Sequence, residues 1–284
     1  MATTNFIVDS LPAYVQENQD MLIKNFALVG GGIRKRVSVQ TGIKSKAKIN
    51  FLEIAPEIQS GDGCSFTPMG AVELSQREIN TEAYKVNLEI CHKTLRGKYA
   101  EYLIKMNASE QELPFEAYIV EGLTNALNKK IEEAVWTKLA AFDGEMKSVT
   151  ATGDVYEDIK KVYLALPTEV LNRGAEIYVS PANYRFFLQA LVEKNLYHYA
   201  SATEAMPTEF YFPGSNAKVV MSEGLADGAI YGTFAKNIFY GCDMENDAEV
   251  LDIWWSKDDR VFKVAAEWNM GVQVAFPDMV VVAK

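Results

Sequence analysis

Residues 109–142, SEQELPFEAYIVEGLTNALNKKIEEAVWTKLAAF, decide how the rest of the chain is read. Ser109 followed three positions later by Glu112 has capping-box spacing: the serine hydroxyl accepts from a first-turn amide and the glutamate reaches back to the serine N–H. Pro114 then sits where a first-turn proline belongs, because it has no N–H to lose there. Phe115, Tyr118, Ile119, Leu123, Ala126, Leu127, Ile131, Ala134, Val135 and Leu139 recur at helical spacing until Asp143-Gly144 stops the run. Residues 114–142 would make 29 residues of helix, about 43 Å at ~1.5 Å per residue. Globular helices average about a dozen residues, so this one is a structural beam.

Upstream of the beam little can make a core of its own. Leu11 to Leu28 reads as an amphipathic helix, with Pro12 in its first turn and Tyr14, Val15, Met21, Leu22, Ile23 and Phe26 on one face. Gly30-Gly31-Gly32 ends it as a hinge, and Ile33 to Gln40 looks extended. Ala47 to Ile54, Val72 to Ile79 and Tyr84 to Ile90 alternate polar with apolar, and residues 57–70, EIQSGDGCSFTPMG, are crowded with turn formers. These strands predict a long two-stranded arm with too few bulky apolar residues to stand alone, an arrangement that finds its burial on another subunit.

Downstream the pattern is α/β. Asp154 is placed to cap a helix through Val155, Ile159, Val162, Tyr163 and Leu166 that Pro167 stops. Glu176 to Val179 reads as a strand, and Ser180-Pro181 opens a helix carrying Tyr184, Phe187, Leu188 and Leu191. Strands are expected at Lys218–Met221, Ala229–Tyr240, Glu249–Trp255, Arg260–Phe276 and Met279–Ala283.

Composition narrows the function. With 49% hydrophobic and 23% charged residues over 284 positions the chain folds. It carries no apolar run long enough to span a bilayer, and Met1 to Phe6 has no signal-peptide character, so a cytoplasmic site of synthesis and no membrane partner are expected. Cys64, Cys91 and Cys242 are an odd set without metal-ligand spacing, read as reduced thiols. A net charge of −10 argues against a sequence-specific nucleic-acid binder. The charge is uneven: residues 1–48 hold Lys24, Arg34, Lys35, Arg36, Lys44, Lys46 and Lys48 against three acids, a balance of +4 that leaves −14 for the remainder. Copies of such a chain would attract one another, although a merely solvated charge run explains the count equally well.

No catalytic, cofactor-binding or metal-binding residues are assigned. Cys91-His92 is adjacent like a nucleophile and its base, but neighbours on a strand point to opposite faces. The glycine triplet lacks a following Gly-Lys-Ser/Thr and a helix N-terminus, so it is no phosphate cradle. Asp243, Glu245, Asp247 and Glu249 alternate like a calcium loop, but Ala248 and Trp254 occupy positions the loop needs for other residues. Their pairing with a neighbour's basic arm is the more economical expectation. The assembly interface is therefore assigned to Arg34, Lys35, Arg36, Lys44, Lys46 and Lys48 against Asp243, Glu245 and Asp247. Trp254-Trp255, Trp268 and the tyrosines are read as core.

The order of elements resembles the α+β Hong Kong 97-like major capsid fold of tailed double-stranded-DNA bacteriophages. The wording is similar to capsid proteins of phages or prophages of Bacteroidetes-type hosts at Gly42-Ile43-Lys44-Ser45, Gln59-Ser60-Gly61, Cys64-Ser65-Phe66, Val86 to Cys91, Tyr240 to Asp247, Asp258 to Lys263 and Gly271-Val272-Gln273. The resemblance implies an N-arm at 1–42, an extended E-loop and its base at 43–92, and a peripheral domain at 93–149 with its spine helix at 113–143. It further implies an axial domain at 150–250 and closing strands at 251–284 returning to the peripheral domain. It also implies a structural, non-enzymatic shell protein in a virion, assembled in the bacterial cytoplasm as pentamers and hexamers, with portal and packaged DNA as further partners. Neither a cleaved scaffolding segment nor a lysine–asparagine crosslink is read in the sequence, so a separate scaffolding protein, or none, and an uncrosslinked shell are expected. An encapsulin-like compartment shell is the near alternative; a soluble α/β enzyme and a surface adhesin are the remote ones.

Overall fold

The structure, a computed structural model, describes residues 11–18, 22, 32–58, 70–91, 93–94, 115–196, 207–243 and 250–284. Chain order is α1 (residues 11–17), β1 (Ser38–Gln40), β2 (Lys46–Pro56), β3 (Gly70–Asn80), β4 (Glu82–Cys91), α2 (Phe115–Ala140), β5 (Lys147–Val149), α3 (Val155–Ala165), α4 (Thr168–Asn172) and β6 (Ala175–Val179). There follow α5 (Pro181–Glu193), β7 (Glu209–Tyr211), β8 (Lys218–Met221), β9 (Ile230–Phe234), β10 (Ile238–Cys242), β11 (Val250–Ser256), β12 (Val261–Val274) and β13 (Val281–Ala283).

Helix α2 lies between two sheets, and its sequence explains why. Val120, Thr124, Leu127, Ile131, Val135 and Leu139 are buried at three- and four-residue spacing. Glu132 and Trp136 widen that stripe, so one helix face can serve two neighbours. The capping box and Pro114 lie outside the described residues.

One neighbour is a five-stranded sheet built on β12. Phe262, Val264, Ala266, Trp268, Met270, Val272 and Val274 alternate along it and are all buried on the α2 side. β4 runs antiparallel along one edge of β12, while β10 and β11 lie in line along the other, with β1 parallel to β10. The other neighbour is a six-stranded sheet ordered β5-β13-β9-β6-β8-β7. Its strands split their side chains cleanly. Tyr178, Val220, Tyr231 and Val282 join the α2 core, whereas Ile177, Val219, Ile230 and Val281 face a second core under α3 and α5. Asp154 caps α3 by accepting from the Tyr156 and Glu157 amides, and Ser180 caps α5 by accepting from Asn183 N–H. Trp136 locks α2 to this sheet: its indole N–H donates to Ser222 Oγ at 2.7 Å, and its ring lies 5.4 Å from Tyr178 and 5.3 Å from Tyr231.

Three expectations need correction. The strand expected over Ala229–Tyr240 is two, β9 and β10, which a 3₁₀ turn at Ala235–Asn237 sends into different sheets. The residues after Gly32 are not extended from Ile33 onward: Gly32–Lys35 is a 3₁₀ turn, and only Ser38–Gln40 joins a sheet. The closing stretch serves both sheets, because β11 and β12 belong to the five-stranded one and β13 to the six-stranded one.

Candidate assembly surfaces

β2 and β3 pair over 11 residues, Lys46↔Asn80 to Pro56↔Gly70, as a two-stranded sheet of their own. At ~3.4 Å per residue this ribbon is about 37 Å long, and a two-stranded ribbon is marginal in water. Among the described side chains, those at its base are packed. Ile43, Ile49 and Ile79 form a small third core, with Phe51 and Phe239 against it. Farther out Leu74 is 75% exposed and Ile58 fully exposed.

The base crosses the five-stranded sheet at a notch made by two glycines. Gly241 and Gly271 are cross-strand partners on β10 and β12. A Cβ on Gly271 would lie 2.4 Å from the Asn80 carbonyl oxygen, and one on Gly241 would lie 2.9 Å from Ile43 Cδ1 and 3.0 Å from Ile79 Cγ2. Gln273 beside them donates its amide to the Glu78 carbonyl at 2.8 Å. This crossing also explains why β12 is buried on both faces from Met270 to Val274 but alternates before that.

The basic residues assigned to the interface divide into two groups. Arg34 is fully buried: its Nε faces Glu132 Oε1 at 3.4 Å and its Nη2 donates to Asn128 Oδ1 at 2.9 Å. Arg36 bridges two sheet carboxylates, Glu176 at 2.8 Å and Glu209 at 2.6 Å. Both arginines are thus engaged inside the subunit, which removes them as free attachment points. Lys35, Lys44, Lys46 and Lys48 are exposed, the last two on one face of β2, with Lys46 3.8 Å from Glu78. Asp243 is buried, not part of an open acidic strip; Glu245 and Asp247 lie outside the described residues. His92, His198 and Cys64 do too, while Cys91 is exposed and Cys242 buried. Trp268 is core as expected, but Trp254 is 41% exposed.

Several polar residues that organise these surfaces carry weak sequence signals. Glu132 was visible only as an acid on the buried arc of α2, one turn before Trp136. It accepts from Ile33 N–H at 3.1 Å, and burial pushes its carboxyl above the usual range despite that amide and Arg34. Glu209 goes the other way, held low by its hydrogen bond from Arg36. Between Gly32, Arg36, α2 and the β8 end runs a cleft of about 820 Å³ whose charged lining mixes Lys35, Arg36 and Lys129 with Glu132 and Glu223. Among the described residues no group of three or more His, Cys, Asp or Glu is placed to hold a metal, and no helix is long and apolar enough to cross a membrane.

No protein-family model and no curated protein matches the sequence. Solved structures do match in three dimensions. The satellite phage P4 procapsid including size determination protein superposes with a TM-score of 0.61 at 11% identity, over 95% of this chain and 90% of that one. The virus-like particle from Pyrococcus furiosus gives 0.55 at 12% identity, over 93% and 96%. The capsid of the cyanophage P-SCSP1u gives 0.56 at 11% identity, over 89% and 88%.

Proposed function

Starting from the Hong Kong 97-like capsid fold, we propose that this chain is the major capsid subunit of a tailed double-stranded-DNA phage or prophage. In this reading it is a structural protein, not an enzyme, and assembles with itself into the pentamers and hexamers of an icosahedral head. A scaffolding protein, a portal and the packaged DNA would be its further partners. The observation that carries the reading is the β2–β3 ribbon. It extends about 37 Å, its described buried residues lie at its base, and it presents Leu74 and Ile58 to water. A lone monomer gains nothing from such an arm; a subunit that lays it on a neighbour buries it. The exposed Lys44, Lys46 and Lys48 beside its base, on a chain of net charge −10, supply attraction of the right sign between copies.

A compartment shell around protein cargo is the second reading, favoured by the match to a virus-like particle over 93% of the chain. Size-exclusion chromatography with in-line light and X-ray scattering on the chain expressed alone tests both. Rings, shells or an elongated monomer are expected. A concentration-independent monomer near the ~19 Å radius of gyration of a compact chain this long would overturn the shell readings. Particles recovered from the native host would separate them by whether they hold DNA or protein.

A further inference from the structure

Residues 32–40 touch all three parts of the body at once. Gly32 has φ +66°, a conformation that favours glycine, and a Cβ there would fall 2.5 Å from Glu132 Oε2. The Glu132 carboxylate fills the space this glycine leaves open, takes the Ile33 amide on one oxygen and faces Arg34 Nε with the other. Arg34 is held further by Asn128, one turn earlier on α2. Two residues on, Arg36 clamps Glu176 on β6 and Glu209 on β7 of the six-stranded sheet. Ser38, Val39 and Gln40 then pair with Phe239, Tyr240 and Gly241 of the five-stranded sheet. The apolar content of this link is small: Ile33 and Val37 are its buried hydrophobics.

We propose that Gly32–Gln40 is a releasable strap, seated on α2 by the Glu132 carboxylate in the Gly32 notch, which lets go of both sheets as one unit while the body stays folded. Release is local because Ile33 and Val37 are the strap's two buried residues in the large core that α2 shares with the sheets, and the second core under α3 and α5 holds none of it. A buried ion pair fixes position more than it adds stability, since desolvating two charges offsets much of their attraction. The charged groups around Glu132 are Arg34, Lys35 and Arg36 from the strap, Lys129 and Glu133 on its own helix, and Glu223 on the segment after β8. The inference rests on contacts within one subunit and stands or falls apart from the shell reading.

The strap carries its own reporter, the tribasic Arg34-Lys35-Arg36, which trypsin cuts only when the backbone can be drawn into its active site. The full chain, its oligomeric state fixed by size exclusion, is digested and the fragments are identified by mass. Glu132→Ala removes the acceptor of the buried Ile33 amide and the carboxylate facing Arg34 Nε, and should speed cleavage at residues 34–36 by roughly tenfold or more. The thermal transition of the body should remain single and cooperative. Gly32→Ala should do the same through its collision, and its effect should shrink in the Glu132→Ala background because the colliding carboxylate is gone. Unchanged cleavage in both single variants would overturn the proposal. So would cleavage that rises only in step with global unfolding, or Gly32→Ala effects of equal size in both backgrounds.

Discussion

Replacing Gly271 by alanine should loosen the ribbon from the sheet, and the structure sets the size of the effect. The new Cβ would lie 2.4 Å from the Asn80 carbonyl oxygen and 2.9 Å from Ile79 Cγ2. The first of these is backbone, so no rotamer change relieves it; the β3–β4 junction must move. Overpacking of this kind costs about 1–3 kcal/mol. Lifting fully buried Ile79 even partly into water adds on the order of 1–2 kcal/mol. The gain from replacing a strand glycine is ~0.5–1 kcal/mol and offsets part of this. The net is a loss of about 1–4.5 kcal/mol. Gly241→Ala is the control, because the three atoms nearest its Cβ are all side-chain methyls, Ile43 Cδ1 at 2.9 Å, Ile79 Cγ2 at 3.0 Å and Thr81 Cγ2 at 3.7 Å. Those can turn aside, and about 1 kcal/mol is expected. Urea unfolding of the unassembled subunit, followed by the emission of its four tryptophans, reads the difference as midpoint shifts at equal slope. Hydrogen exchange at the β3 amides should show the opening directly. If Gly271→Ala unfolds with the wild-type midpoint, or Gly241→Ala proves the more damaging, the notch does not work as described.

Three further outcomes follow from contacts already given. Burial pushes the Tyr178 and Tyr231 phenols well above their ordinary value, with Glu176 and Asp143 adding to the effect. The fold therefore holds protons that the unfolded chain releases near pH 10, and the stability from these groups, full below that pH, is lost as pH rises above it. Phenolate absorbance should show Tyr178 and Tyr231 among the tyrosines that ionise only with unfolding; reversible titration of all 14 on an intact fold would refute it. Trp136→Phe should cost about 1 kcal/mol for the bond to Ser222 and Trp136→Ala about 3–5 kcal/mol, while Trp254→Ala should stay within ~0.5 kcal/mol; calorimetry checks the order. Reversing Lys44, Lys46 and Lys48 to glutamate should leave the melting temperature alone but weaken assembly and its salt dependence. Arg36→Glu should instead lower the melting temperature by setting a third carboxylate against Glu176 and Glu209; a triple variant that assembles like wild type at every salt concentration would remove the lysines from the interface.

The elements that repeat a local rule were legible in the sequence. The long helix followed from its apolar period and ends at Ala140, close to the Asp143-Gly144 stop. Both caps in the α/β half were readable, and Lys218–Met221 is a strand with those very bounds. Long-range choices were not legible. β3 and β4 alternate alike, and only pairing partners show that Asn80 ends the ribbon while Glu82 begins a strand on β12. Counting charges could not reveal that Arg34 and Arg36 find Glu132, Glu176 and Glu209, which lie roughly 100 to 170 positions away. The glycines at 241 and 271 stood within phrases that resemble capsid proteins, yet their purpose appears only when another strand crosses them.

The position of β13 bears on how the chain is made. Val281–Ala283 lies between β5 and β9, parallel to one and antiparallel to the other. The six-stranded sheet thus has a gap beside its edge strand β5 until the ribosome has synthesised residue 283 and that residue has cleared the exit tunnel. Until then Val149 and Ile230 have no strand between them, and the core under α3 lacks Val281 and Ala283. This half of the molecule cannot finish folding before residue 283 is made. Every nascent chain passes through a stage at which two open strand edges await the same three residues.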